Sequence, residues 1–169
     1  MPPAMFARAG ITPDSTRRYN PEKRIGRKPM SEIPLRYETG YTWTGTAMAG
    51  NTRIADHPPL PVGSPRDADR FCPEHLLVAT VEACLANYIL LFAQHSGLEV
   101  HAYHSSASGE LEQPDTGGYR FRRIVVRPVL RVPETSASLA GRIVEKAHSS
   151  CLVARSLNCA VEIEPTIET

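Results

Sequence analysis

The segment from Glu74 to His95 constrains this chain more than any other. Leu77, Val81, Cys84, Leu85, Tyr88, Leu91 and Phe92 fall at i, i+4, i+7, i+8, i+11, i+14 and i+15, the spacing that lines one side of a 3.6-residue helix. Pro73 suits the first helical position, where a backbone N–H has no partner to lose. Gly97, just after His95, can take the left-handed conformation that ends a helix. A helix this long buries its apolar side only against other elements, so the flanking segments must supply its cover.

Those segments read as strands and shorter helices. Leu35, Tyr37, Tyr41 and Trp43 alternate as in a half-buried strand. Gly50-Asn51 and Asp56-His57-Pro58-Pro59 bracket a short piece holding Arg53 and Ile54, which predicts a hairpin with a proline-rich exit. The Pro, Gly, Ser and Asp content of 61–71 forbids a long element there. Beyond the helix, 99–112 and 119–132 are strand candidates joined by Pro114-Asp115-Thr116-Gly117-Gly118, a second hairpin. A second helix starts near Ser136, with Leu139, Ile143, Val144 and Ala147 on one face, and meets Cys151 near its end. A short helical piece, 152–157, follows. Val161, Ile163 and Ile167 then alternate with Glu162, Glu164 and Thr166 as a last strand, and Pro165 marks an edge or strand end. Segregated strands and helices predict an α+β domain with antiparallel sheets on a long central helix and a second helix. The domain is expected over 32–169. Residues 1–31, rich in Pro and carrying Arg17, Arg18, Lys23, Arg24, Arg27 and Lys28, are expected to be a flexible basic tail, with Met30 a possible internal start.

Charge and cysteine usage limit the partners. Lys and Arg number 19 against 18 Asp and Glu, a net charge of +1, which supplies no field for nucleic acid or an anionic membrane surface. No apolar run is read as approaching the roughly 20 residues needed to span a bilayer, and no secretory signal is read at the N-terminus. A cytoplasmic location is expected, where thiols stay reduced. The four cysteines are therefore buried hydrophobes, metal ligands or reactive groups and not a disulfide framework.

Cys84 lies mid-helix on the apolar side, where a small buried hydrophobe is the simplest reading, because the field of a helix N-terminus fades within its first turn. A reactive thiol there needs a cation or donor from another segment. Cys151 follows Ser149 and Ser150 at a break between helical pieces, near His148 and Arg155, where an inert and a reactive thiol are both open. Cys72 and His75 are close, and Cys151 and Cys159 bracket a helical turn, yet neither spacing is that of a zinc site. No phosphate loop or nucleophile elbow occurs.

The run Cys72-Pro73-Glu74-His75-Leu76-Leu77-Val78-Ala79-Thr80-Val81-Glu82-Ala83-Cys84 resembles the Pro-Glu-x-Leu helix ending in Ala-Cys of the OsmC/Ohr family, the osmotically inducible and organic-hydroperoxide-resistance proteins. Glu145-Lys146-Ala147-His148-Ser149-Ser150-Cys151 resembles the family's second cysteine motif. The resemblance covers about Leu35 to Ile167. It implies an OsmC-like fold in an intertwined homodimer and a thiol peroxidase in which Cys84 is peroxidatic and Cys151 resolving. It also implies a small-molecule hydroperoxide substrate, a dithiol reductant of the lipoyl type, no metal or flavin cofactor, and an arginine that stabilises the thiolate and is held by a glutamate. Glu74 maps onto that glutamate, and Arg53 is the basic residue of the early hairpin, with Arg66 and Arg70 as alternatives. The second motif departs from the family pattern in Leu152-Val153-Ala154-Arg155. Ten residues of helix advance about 15 Å, so on a straight helix no single arginine of the same subunit bridges Glu74 and Cys84. The alternative function is a catalytically silent member of the fold that binds an apolar ligand or senses redox state.

Overall fold

The structure, a computed structural model, describes residues 34–169. The expected tail and the Met30 start lie outside the described residues. Two units divide the chain, Met1–Tyr37 and Glu38–Thr169, and everything below concerns the second.

The chain opens with β1 (Thr39–Trp43), β2 (Gly50–Ile54) and β3 (Leu60–Val62), followed by α1 (Pro73–His95). Next come β4 (Ala102–Glu112) and β5 (Arg120–Arg131), then a 3-10 turn at Glu134–Ser136 that leads into α2 (Ala137–Ser150). The chain ends with α3 (Leu152–Arg155), β6 (Ala160–Ile163) and β7 (Thr166–Glu168). The expected α+β order holds, and β3 is an element that the proline-rich composition hid. Its pairing with β2 places Asn51 opposite Pro61, and a short edge strand is where a sheet tolerates proline.

β1, β2 and β3 form one antiparallel sheet. The second sheet runs β4-β5-β6, with β7 also on β5. β4 and β5 are antiparallel with a bulge at Glu110/Leu111, whereas β6 and β7 run parallel to β5, so this sheet is mixed and not wholly antiparallel. The expected single last strand is two, because Pro165 has no N–H to give the ladder. The amide of Glu164 still reaches Val126 O at 2.9 Å across the break.

Along β5, Val125 is buried on one side, and Ile124, Val126, Pro128 and Leu130 are buried on the other, which Val132 continues. They meet Val81, Leu85, Ile89 and Ala93 of α1 and Ala140, Val144 and Ala147 of α2 in one core. The opposite face of the sheet carries ion pairs, with Arg123 on Glu110 at 2.7 Å and Arg127 on Glu164 at 2.7 Å. Such half-exposed pairs add little stability.

α1 ends as its glycine demands. Gly97 has φ +66, Leu98 N donates to Ala93 O at 2.9 Å and Gly97 N to Gln94 O at 3.3 Å, which caps the last carbonyls in a Schellman turn. The helix is also apolar beyond one side: Leu90 is exposed opposite the core. By length and composition α1 is apolar enough to cross a membrane, with a mean hydropathy of 2.0, which corrects the expectation that no run approaches that length. Its Val81, Leu85, Ile89 and Ala93 are spent on the protein's own core.

Candidate active site

α1 carries Cys84 past the junction of α2 and α3. α2 stops at Cys151 because that residue leaves helical geometry, at φ −60 and ψ 115, and α3 restarts from it. Cys151 N donates to His148 O at 3.2 Å, and Arg155 N donates to Cys151 O at 3.1 Å. The kink drives the Cys151 side chain inward, to 0 % exposure, among core residues that include the half-buried Cys84. All four cysteines are free thiols.

The two thiols adjoin closely enough that Cys84 affects the ionisation of Cys151. Burial pushes the Cys151 thiol up from 9.0 to about 11; the Ala154 amide pulls it down, and smaller effects follow from its hydrogen bond with Cys84 and charge there, which raise it, and from the Val153 amide, which lowers it. Desolvation penalises the charged form, and a like charge alongside penalises it again. Cys151 is thus a proton-bearing thiol beside Cys84.

A raised folded value stabilises the native state below the unfolded one. Here that contribution is complete below pH 9 and is lost as pH climbs toward about 11. Urea unfolding of the wild type should therefore weaken across this window, and Cys151→Ala should flatten the slope. Parallel slopes in the two proteins would contradict the assignment.

Glu74 lies in the first turn of α1, so the separation of about 15 Å from Cys84 along the helix stands. Arg53, on β2 opposite Gly40 of β1, lays its guanidinium over that glycine. Arg70 is committed elsewhere, donating from Nη1 to Gly50 O at 3.3 Å. Arg66 is exposed, and its amide donates to Ser64 Oγ at 3.1 Å. Among the described residues no hydrogen bond or ion pair joins Arg53, Arg66 or Arg70 to Cys84 or Glu74. The chain brings Cys84 and Cys151 together and leaves Glu74 and Arg53 apart, each exposed.

Two further features lie outside the Cys84–Cys151 pair. Glu82, two positions before Cys84, accepts a hydrogen bond from Ser105 Oγ of β4 at 2.6 Å, next to Tyr103, whose hydroxyl is raised chiefly by burial. Cys72, at the N-cap of α1, places Sγ 2.8 Å from His75 Nδ1. The sequence signal for the second was the pair's three-residue spacing around Pro73. Among the described residues no three His, Cys, Asp or Glu side chains gather as a metal site.

Comparison with known proteins bears on the family and the fold. A family model described as OsmC-like protein matches residues 66–166. The protein YmaD of Bacillus subtilis is 24 % identical over 124 residues, 71 % of this chain and 81 % of that one. An OsmC-like protein of unknown function from Vibrio cholerae superposes with a TM-score of 0.70 at 19 % identity, covering 77 % of this chain and 98 % of its own. An organic hydroperoxide resistance protein from Legionella pneumophila superposes with a TM-score of 0.65 at 15 % identity, covering 82 % of this chain and 100 % of its own.

Proposed function

Because the chain belongs to the OsmC-like protein family, we propose that it is a thiol-dependent peroxidase that reduces organic hydroperoxides, and hydrogen peroxide as well, through Cys84 and Cys151. The observation that carries this reading is the adjacency of a half-buried thiol to a fully buried one that keeps its proton. The name of the Legionella pneumophila protein of the same fold supports the substrate class.

In the proposed cycle the Cys84 thiolate attacks the distal oxygen of the hydroperoxide. The O–O bond breaks, an alcohol leaves and Cys84 becomes a sulfenic acid. The neighbouring Cys151 sulfur then displaces the hydroxyl, which departs as water with the Cys151 proton, and a disulfide remains. A dithiol of the lipoyl type returns both thiols in the reducing cytoplasm.

Activation of Cys84 calls for a cation that the described residues of a single chain do not place beside it. A homodimer in which Arg53 of one subunit meets Glu74 near the partner's thiol would supply it. Support comes from the unpaired side chains of Glu74 and Arg53 and from the exposure of Tyr41, Trp43 and Ile54 on the small sheet. The rival reading, a silent member that binds an apolar ligand or senses redox state, draws on the same absence of a guanidinium at Cys84.

The deciding experiment reduces the protein with dihydrolipoamide, removes the dithiol, then adds one equivalent of cumene hydroperoxide and takes the intact mass. A Cys84–Cys151 disulfide is expected in the wild type, and Cys151→Ser should consume the same single equivalent but stop at a trappable Cys84 sulfenic acid. Unchanged thiols after hydroperoxide would sink the peroxidase reading.

A further inference from the structure

Cys72 is not part of the pair above. It lies twelve residues before Cys84 along α1 (84 − 72), about 18 Å at the helical rise of about 1.5 Å per residue. It caps a 23-residue helix, with φ −81 and ψ 146, and its sulfur accepts a hydrogen bond from His75 N at 3.4 Å. The same sulfur touches the imidazole, with Nδ1 at 2.8 Å. A nucleophile, a base within hydrogen-bond reach and a helix N-terminus that favours negative charge are thus assembled on one turn.

Two further observations select the reagent. Cys72 is 3 % exposed, a burial that bars bulky electrophiles. His75 also lines a recess of about 320 Å³ walled by Val78, Ala107 and Phe121, so the base side of the dyad opens onto a space that holds a small molecule. Gly109 keeps that recess tight: a Cβ there would stand 2.5 Å from Phe121 Cε1 and 2.8 Å from Val78 Cγ2.

We infer that Cys72 is a separate oxidation site, taken by hydrogen peroxide or a similarly small hydroperoxide to a sulfinate that caps α1. This inference does not rest on the peroxidase reading of Cys84. In the first step the Sγ proton moves to His75 Nδ1 and sulfur attacks the terminal peroxide oxygen. An S–O bond forms, the O–O bond breaks, and the departing hydroxide or alkoxide takes the proton back from the imidazole as water or alcohol. Sulfur loses two electrons and the peroxide gains two, leaving a sulfenic acid. Cys84 is too far to resolve it. A second peroxide molecule therefore repeats the exchange, and the resulting sulfinate accepts hydrogen bonds from the first-turn amides as an aspartate N-cap does.

The test treats the full-length wild type and His75→Asn with hydrogen peroxide and digests with chymotrypsin, whose cuts at Leu76 and Leu77 separate Cys72 from Cys84. The Cys72 peptide of the wild type should gain two oxygen atoms, and should do so faster than the peptide of Cys159, a half-buried thiol with no hydrogen-bond partner among the described residues. His75→Asn keeps a hydrogen-bonding group beside the sulfur but no base, so oxidation of Cys72 should slow about a hundredfold, the low end of the about 10²–10⁴-fold a positioned base contributes. Equal rates in the two proteins overturn the inference. Should His75→Asn not fold, the wild type decides alone: oxidation of Cys159 ahead of Cys72 overturns it, and the reverse order supports it.

Discussion

Cys84→Ser should lower the rate of cumene hydroperoxide reduction by at least about a thousandfold, equivalent to about 4 kcal/mol of lost transition-state stabilisation. A serine hydroxyl is close to isosteric with the thiol, so the half-buried position on α1 stays filled and the core of Val81, Leu85 and Ile89 is undisturbed. What disappears is the polarisable anion. Cys151 does not substitute for it, because burial, which Cys84→Ser leaves in place, raises that thiol above its ordinary value, and an uncharged thiol is a poor nucleophile. Peroxide loss followed by a colorimetric assay, with dihydrolipoamide as reductant, measures the effect. A Cys84→Ser protein that keeps wild-type turnover would remove Cys84 from the mechanism.

Leu85→Ala should cost about 3–5 kcal/mol of unfolding free energy. Leu85 is 1 % exposed, and it belongs to the core that α1 shares with Ile124, Val126 and Leu130 of β5 and with Val144 and Ala147 of α2. Truncation removes the transfer energy of the buried methyl groups and leaves a cavity that a sheet on one side and a helix on the other fill only in part. Urea denaturation should show a lower midpoint at an unchanged slope. A change below about 1 kcal/mol would mean that α1 does not pack as described. Because Cys84 is the preceding residue, loosening this contact should also blur the Cys84–Cys151 geometry, read as slower disulfide formation after peroxide.

Much of the frame was legible in the residues because it is local. Apolar spacing, Pro73 and Gly97 bound α1 to within one residue, and the glycine pair at 117–118 announced the β4–β5 turn, where both glycines have positive φ. Local signals failed where backbone pairing is decided at a distance. β3 contains a proline yet pairs with β2, and the parallel run of β6 and β7 beside β5 depends on the path of α2 and α3, which alternation along the strand does not encode.

For the site, the sequence by itself determined which groups were available: two cysteines 67 positions apart (151 − 84), a glutamate one helix-length away, and a family pattern that linked them. Only the tertiary structure decided that the two thiols adjoin, that Cys151 is the buried one and keeps its proton, and that Arg53 rests over Gly40 and away from Cys84. The physical reason is that helical period and capping act over a few residues, whereas proximity and desolvation arise from packing between segments distant in sequence.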